Sequence, residues 1–233
     1  NALSHWAILN ALDFWRDGAA YRDQEQRRVW QHIPQRPATG AKIGILGIGA
    51  IGNVIARRFA ALGFDVRGYA RTPRSIEGVA TFAGSDQLAA FADGLDIVVS
   101  VLPLTPETTG IMNAGFFGML ADGAFIINGG RGPQVDDDDL LAALDSGKLG
   151  GAALDVFAVE PLPQGSSFLD TSQGAGLAAC GGTDQCHLGG RTGGRRHHRD
   201  DGRQRACESC RLVTRLLTRQ PSPLSGRPAS QYR

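Results

Sequence analysis

The segment Ile43-Gly44-Ile45-Leu46-Gly47-Ile48-Gly49-Ala50-Ile51-Gly52 constrains this chain more than any other. The short apolar run from Lys42 to Leu46 reads as a buried strand, and three glycines follow it at G-x-G-x-x-G spacing. A helical period then runs from Ile51 to Leu62 and stops at Gly63. A strand, a glycine turn and a helix in that order make a cradle for a dinucleotide. Gly47 permits the tight turn, Gly49 lets the backbone approach a pyrophosphate, and Gly52 lets helix and strand pack closely. The helix start, at Ala50 and Ile51, offers free N–H groups and the positive end of the helix dipole to phosphates. The alternative is a glycine-rich turn that holds no ligand.

The rest of the first 165 residues continues this alternation. Strand patterns cover Phe64 to Tyr69, Ile97 to Leu102, Ala124 to Asn128 and Ala152 to Val156. Helical patterns cover Leu88 to Phe91 and Asp138 to Ser146. Ahead of them, Trp6, Leu9, Leu12 and Trp15 recur at helical spacing, which predicts one helix over residues 3–30. Pro34, Pro37 and Gly40 then mark a linker. The fold class expected is α/β, a Rossmann-type doubly wound parallel sheet.

From Ser166 the texture changes. The remainder has a single Val (Val213), neither Ile nor Lys, and half of the chain's arginines among many Gly, Ser and Gln. Apolar content is too low there to offset chain entropy, so an irregular, disordered tail over 166–233 is expected. All four cysteines (Cys180, Cys186, Cys207 and Cys210) lie in it. Cys207 and Cys210 have the spacing of half a zinc site; Cys180 and Cys186 do not, and reduced thiols are the simpler reading. Asp136 to Asp139 invites a metal reading as well, but consecutive carboxylates do not converge, and they sit where a helix start favours negative charge. No metal is expected.

Net charge is +1, which gives no broad attraction to nucleic acid or to a membrane surface. The basic stretch from Arg191 to Arg205 contains Asp and lacks aromatics, a weak basis for nucleic-acid binding. No apolar run is long enough to span a bilayer and no secretory signal is visible, so the cytoplasm is the expected compartment. The first residue, Asn1, is not Met, which reads as a fragment or a processed chain.

The second strand ends Arg67-Gly68-Tyr69-Ala70-Arg71-Thr72-Pro73-Arg74. An acidic residue at this strand end would bind the ribose hydroxyls of NAD. Here none is present, and Arg71 and Arg74 are placed to pair with a 2′-phosphate. NADP(H) is therefore favoured over NAD(H). The alternative makes both ordinary solvated arginines.

Four blocks now stand in order: the glycine turn, Leu102-Pro103-Leu104-Thr105-Pro106-Glu107-Thr108, Asn128-Gly129-Gly130-Arg131-Gly132, and Leu154-Asp155-Val156-Phe157-Ala158-Val159-Glu160-Pro161-Leu162-Pro163. As a set they resemble the D-isomer-specific 2-hydroxyacid dehydrogenases, nearest the glyoxylate/hydroxypyruvate reductase branch, over roughly residues 18–166. The resemblance implies hydride transfer between a nicotinamide and a small 2-keto or 2-hydroxy acid. It implies that Arg131 binds the substrate carboxylate, that Glu160 pairs with a catalytic His and raises its pKa, and that Asp155 holds the nicotinamide carboxamide. It puts Leu102 and Pro103 in the nicotinamide wall and Thr108 near the phosphates. D-Lactate and phosphoglycerate remain alternative substrates within the class. A homodimer is implied for an intact member, carried partly by the helix after Leu3.

The same resemblance exposes what is missing. It implies a second, substrate domain built from two pieces, of which residues 1–40 would be a linking helix and a remnant, with 41–165 the dinucleotide domain. It also places Pro-His about 19 residues beyond Glu160, where this chain has Ala179. None of the five histidines follows a proline, and His187 lies eight positions late. Back-translating residues 168–190 and reading from the second base of each codon permits SWTPPRVRVSPHVAALTSATSAA. That string resembles the family's next segment, with the His codon falling across Ala179 and Cys180. The tail from about residue 167 is therefore read as out of frame, and the enzyme as crippled by the loss of its acid. A non-catalytic dinucleotide-binding module is the alternative of a different class.

Overall fold

The computed structural model describes residues 2–170, 178–181 and 185–188, all within one compact unit. Its centre is a parallel sheet. Strands β1 (Lys42–Leu46), β2 (Asp65–Ala70), β3 (Ala80–Ala83), β4 (Ile97–Ser100), β5 (Ala124–Asn128) and β6 (Leu149–Leu154) take the order β3-β2-β1-β4-β5-β6. That is the doubly wound order, with its switch point between β1 and β4.

The strands form where branched side chains are buried on both faces. Ile43, Ile45, Ile97, Val99, Phe125, Ile127 and Ala153 point to one side, and Leu46, Val98, Ala124, Ile126, Ala152 and Leu154 to the other. The first side is covered by α1 (Ala2–Trp15) and α3 (Ala50–Ala61), through Ala7, Ala11, Trp15, Ile55, Ala56 and Phe59. The second is covered by α4 (Leu88–Ala92), α5 (Ala114–Met119) and α6 (Asp137–Asp145), through Phe91, Phe116, Phe117, Leu140 and Leu144.

One expectation needs correcting. Residues 3–30 do not form a single helix: α1 ends at Trp15 and α2 covers Gly18–Gln26. Between them Asp17 adopts a left-handed conformation, φ 55°, which interrupts the helical hydrogen bonds. Gly18 follows, where a β-carbon would strike the Asp13 carboxylate. Within the first 165 residues, one strand and one α-helix were not expected, β3 and α5. The linker after α2 is exposed, with Trp30 fully in solvent.

Past residue 165, where irregular chain was expected, the described residues include α7 (Ser167–Asp170), β7 (Ala178–Gly181) and β8 (Gln185–Leu188). Phe168 is buried and packs against Phe157, ring centroids 5.7 Å apart. β7 pairs parallel to β6 and β8 antiparallel to β7, taking up backbone groups that β6 would otherwise leave open at an edge. The zinc and nucleic-acid readings of Cys207, Cys210 and Arg191 to Arg205 lie outside the described residues.

Candidate cofactor and active site at the strand ends

The parallel register sets one row of residues across the sheet. Tyr69 aligns with Leu46, Leu46 with Ser100, Ser100 with Asn128, and Asn128 with Leu154. Every loop that leaves this row on β1, β4, β5 and β6 carries one of the four sequence blocks. Gly47–Gly52, Leu102–Thr108, Gly129–Arg131 and Asp155–Glu160 are therefore gathered along the carboxyl ends of neighbouring strands, where open α/β sheets bind ligands.

The first loop is built around its glycines. Gly47 has φ +99°, and its N–H donates to Tyr69 O at 2.9 Å. A β-carbon on Gly52 would strike the Gly47 carbonyl, so helix and turn are in direct backbone contact. Gly49 differs: its φ is an ordinary −74°, and a β-carbon there would meet nothing within 4 Å. The protein itself does not demand glycine at 49. The position is exposed, at the start of a twelve-residue helix that no side chain caps. Ala50 is exposed and Ile51 half-buried beside it. Open space over uncapped N–H groups fits a phosphate.

Arg71 and Arg74 are both exposed just beyond β2. Arg74 lines a shallow pocket of about 200 Å³ with Pro73, Phe82 and Gln87. Arg71 faces the next loop: the Glu107 carboxyl is held below its ordinary range, first by the Thr105 hydroxyl, then by its own backbone N–H, with Arg71 adding attraction.

In the loop after β4, Leu102 is buried and Pro103 exposed. Thr108 closes this loop on itself, its hydroxyl donating to Pro103 O and accepting from Thr105 N–H, both at 2.8 Å. After β5, Arg131 is exposed, and its guanidinium donates to Gly130 O at 2.7 Å. Among the described residues no carboxylate lies within ion-pair distance of it. Asn128 is fully buried and shapes the turn, accepting from Gly130 N–H and donating to Arg131 O.

After β6, the Asp155 N–H donates to Asn128 O at 2.9 Å, and its half-buried carboxyl has a raised pKa, chiefly from burial and then from the nearby Glu160 charge. Glu160 is exposed, and Oε1 accepts from Phe157 N–H at 2.9 Å. Gly132 lies under this loop, where a β-carbon would overlap the backbone of Phe157 and Ala158. β7 carries the row one strand further by setting Ala179 beside Leu154.

Two residues with clear roles in this geometry went unread in the sequence. Asn113 caps α5 by accepting from Phe116 N–H. Gln134, fully buried, joins the loops after β4 and β5. A Gln three residues past Arg131, with Pro133 between, was the available sign of a tight capped turn.

The sequence pattern of the D-isomer specific 2-hydroxyacid dehydrogenases, NAD binding domain, matches residues 8–175. Glyoxylate/hydroxypyruvate reductase A of Serratia proteamaculans is 42% identical over 166 residues, covering 71% of this chain and 53% of its own. A D-isomer specific 2-hydroxyacid dehydrogenase from Xanthobacter autotrophicus Py2, solved with NADPH and MES, superposes with TM-score 0.72 at 41% identity, covering 76% of this chain and 72% of that one. An NADPH-dependent glyoxylate/hydroxypyruvate reductase from Sinorhizobium meliloti, solved with NADP and sulfate, gives TM-score 0.70 at 41% identity, covering 72% and 55%. The chain thus spans about half the length of the two reductases. Its sheet order, its four strand-end loops and these similarities agree that it belongs to the D-isomer specific 2-hydroxyacid dehydrogenase family.

Proposed function

We propose that this chain is the NADPH-binding portion of a reductase for a small 2-keto acid, glyoxylate or hydroxypyruvate, and that its own catalysis is crippled. The observation that supports this reading is the single row of strand ends, whose neighbouring loops carry the glycine turn, Leu102 and Pro103, Arg131 and Asp155. Gly47 to Gly52 would hold the pyrophosphate, Arg71 and Arg74 the 2′-phosphate, Thr108 would lie near the phosphates, and Asp155 would hold the carboxamide. The bound nicotinamide would supply the hydride. Arg131 would turn from the Gly130 carbonyl to fork onto the substrate carboxylate, while Leu102 and Pro103 wall the ring.

The keto oxygen also needs a proton. In the family pattern a His paired with Glu160 supplies it, and position 179 here is alanine. The Glu160 carboxylate is left on the Phe157 N–H. Losing a general acid costs roughly 10²- to 10⁴-fold. An out-of-frame tail from about residue 167 accounts for this loss, with 1–40 as linking helix and remnant and 41–165 as the dinucleotide domain. A cytoplasmic homodimer without nucleic-acid contacts belongs to the same proposal. Among the described residues no helix is long and apolar enough to cross a membrane.

The alternative, a dinucleotide-binding module without chemistry, is favoured by the same alanine. The test is titration of the purified chain with NADPH and NADH, followed by a glyoxylate turnover assay. The expected result is NADPH binding in preference to NADH, with feeble turnover. Brisk turnover would overturn the lost-acid reading, and absence of NADPH binding would overturn the whole proposal.

A further inference from the structure

Gln134 ends a single 3-10 turn, Gly132–Gln134, and its side chain is completely buried. Its amide nitrogen donates twice, to Leu102 O at 3.0 Å and to Pro103 O at 3.1 Å. Its amide oxygen accepts from Arg131 N–H at 2.9 Å. One side chain therefore clasps the loop after β4 and the loop after β5 together. The surroundings are built for it: a β-carbon on Gly130 would strike the Gln134 amide oxygen. Main-chain bonds fix its base, with Gln134 N–H donating to Arg131 O and Gln134 O accepting from Met112 N–H. Only a group that both donates and accepts can serve carbonyls on one side and an N–H on the other. A carboxylate has no protons for the carbonyls, and an apolar residue leaves Leu102 O and Arg131 N–H without this partner and Pro103 O with the Thr108 hydroxyl alone.

We infer that Gln134 is a positioning residue that couples the Leu102–Pro103 wall to Arg131, so that filling the cofactor side of the crevice stiffens the substrate side. This rests on the cofactor reading above. Cofactor seated against residues 102 and 103 restricts their carbonyls, the amide transmits that restriction to the Arg131 main chain, and the guanidinium is held at a fixed height for an incoming carboxylate. No contact between cofactor and Arg131 is required.

The test is amide hydrogen exchange, read by mass spectrometry, on the full chain with and without NADPH. In the unaltered chain NADPH should slow exchange in the Gly47–Gly52 turn and also in the Gly129–Arg131 segment. In Gln134→Met, which keeps length and volume, the protection at 47–52 should persist and that at 129–131 should be lost. Gln134→Glu, which retains the acceptor and drops both donors, should lose the same remote protection. A loosened fold would raise exchange everywhere, with or without NADPH, and would not remove one response selectively. Equal remote protection in the unaltered chain and both variants overturns the inference. Should neither variant fold, the unaltered chain decides alone: protection at 47–52 with none at 129–131 overturns it. Absence of protection anywhere overturns the cofactor reading, and this inference with it.

Discussion

At the scale of single residues, glycine serves two different masters in this site. At Gly52 and Gly132 a β-carbon would run into the chain's own backbone, at Gly47 and at Phe157 respectively. Gly132→Ala should therefore cost about 1–3 kcal/mol of stability or more, since main chain cannot step aside cheaply; a fall in the urea midpoint checks it. Gly49 meets nothing within 4 Å. Gly49→Ala should hold stability within about 0.5 kcal/mol, yet weaken NADPH binding, because the methyl would occupy ligand space. The G-x-G-x-x-G spacing already assigned Gly47 to the turn, Gly52 to the packing and Gly49 to a pyrophosphate; what a β-carbon would meet at each was not legible, since that depends on what faces it. Arg71 is a cleaner case, as its exposure and the lack of an acid at the strand end agree. Arg71→Ser should raise the NADPH dissociation constant about tenfold or more, roughly 1.4 kcal/mol, and leave that for NADH nearly unchanged in parallel titrations. Asp155 adds a pH dependence. Burial and the Glu160 charge raise its pKa in the folded chain, so its contribution favours folding most below the ordinary carboxyl range. That contribution is lost as pH rises through the folded value. Asp155→Asn should therefore melt higher than the unaltered chain at neutral pH, and the gap should close on acidification.

At the scale of elements, legibility followed burial. β1, β4 and β5 are central, buried on both faces and rich in branched residues, so composition alone marked them. β3 is a four-residue edge strand with no fully buried member, and it has no alternation to read. α5 is six residues with two internal glycines, Gly115 and Gly118; helical propensity could not find it, and its Asn113 cap was the only local cue. Asn113→Ala should cost about 1 kcal/mol, seen as a lower denaturation midpoint. The split between α1 and α2 was invisible because the apolar period of α1 says nothing about the left-handed Asp17 that ends it. The glycine turn was found by its spacing and the other three loop blocks by resemblance, while their convergence followed from strand order, since parallel strands all point their carboxyl ends the same way.

At the scale of the whole molecule, the sheet continues past the point where the composition changes. β7 sets Ala179 beside Leu154, in line with Leu46, Ser100 and Asn128. If, as proposed, the lack of an acid at position 179 alone limits turnover, replacing Ala178 and Ala179 by Pro and His should raise glyoxylate-dependent NADPH oxidation by about 10²- to 10⁴-fold. A gain below tenfold would place the limit elsewhere than at position 179. The linker legible at Pro34, Pro37 and Gly40 is not a gap in the packing. α1 precedes the linker, yet its Ala7, Ala11 and Trp15 complete the core with α3 and β5, and Phe14 stacks on Phe125 at 4.3 Å. The linker between α2 and β1 is exposed and carries little of that core. A protease that nicks residues 27–40 should therefore leave a severed molecule whose two pieces travel together on a sizing column. The N-terminal peptide, supplied separately, should reconstitute the rest as a key fits a lock already cut for it.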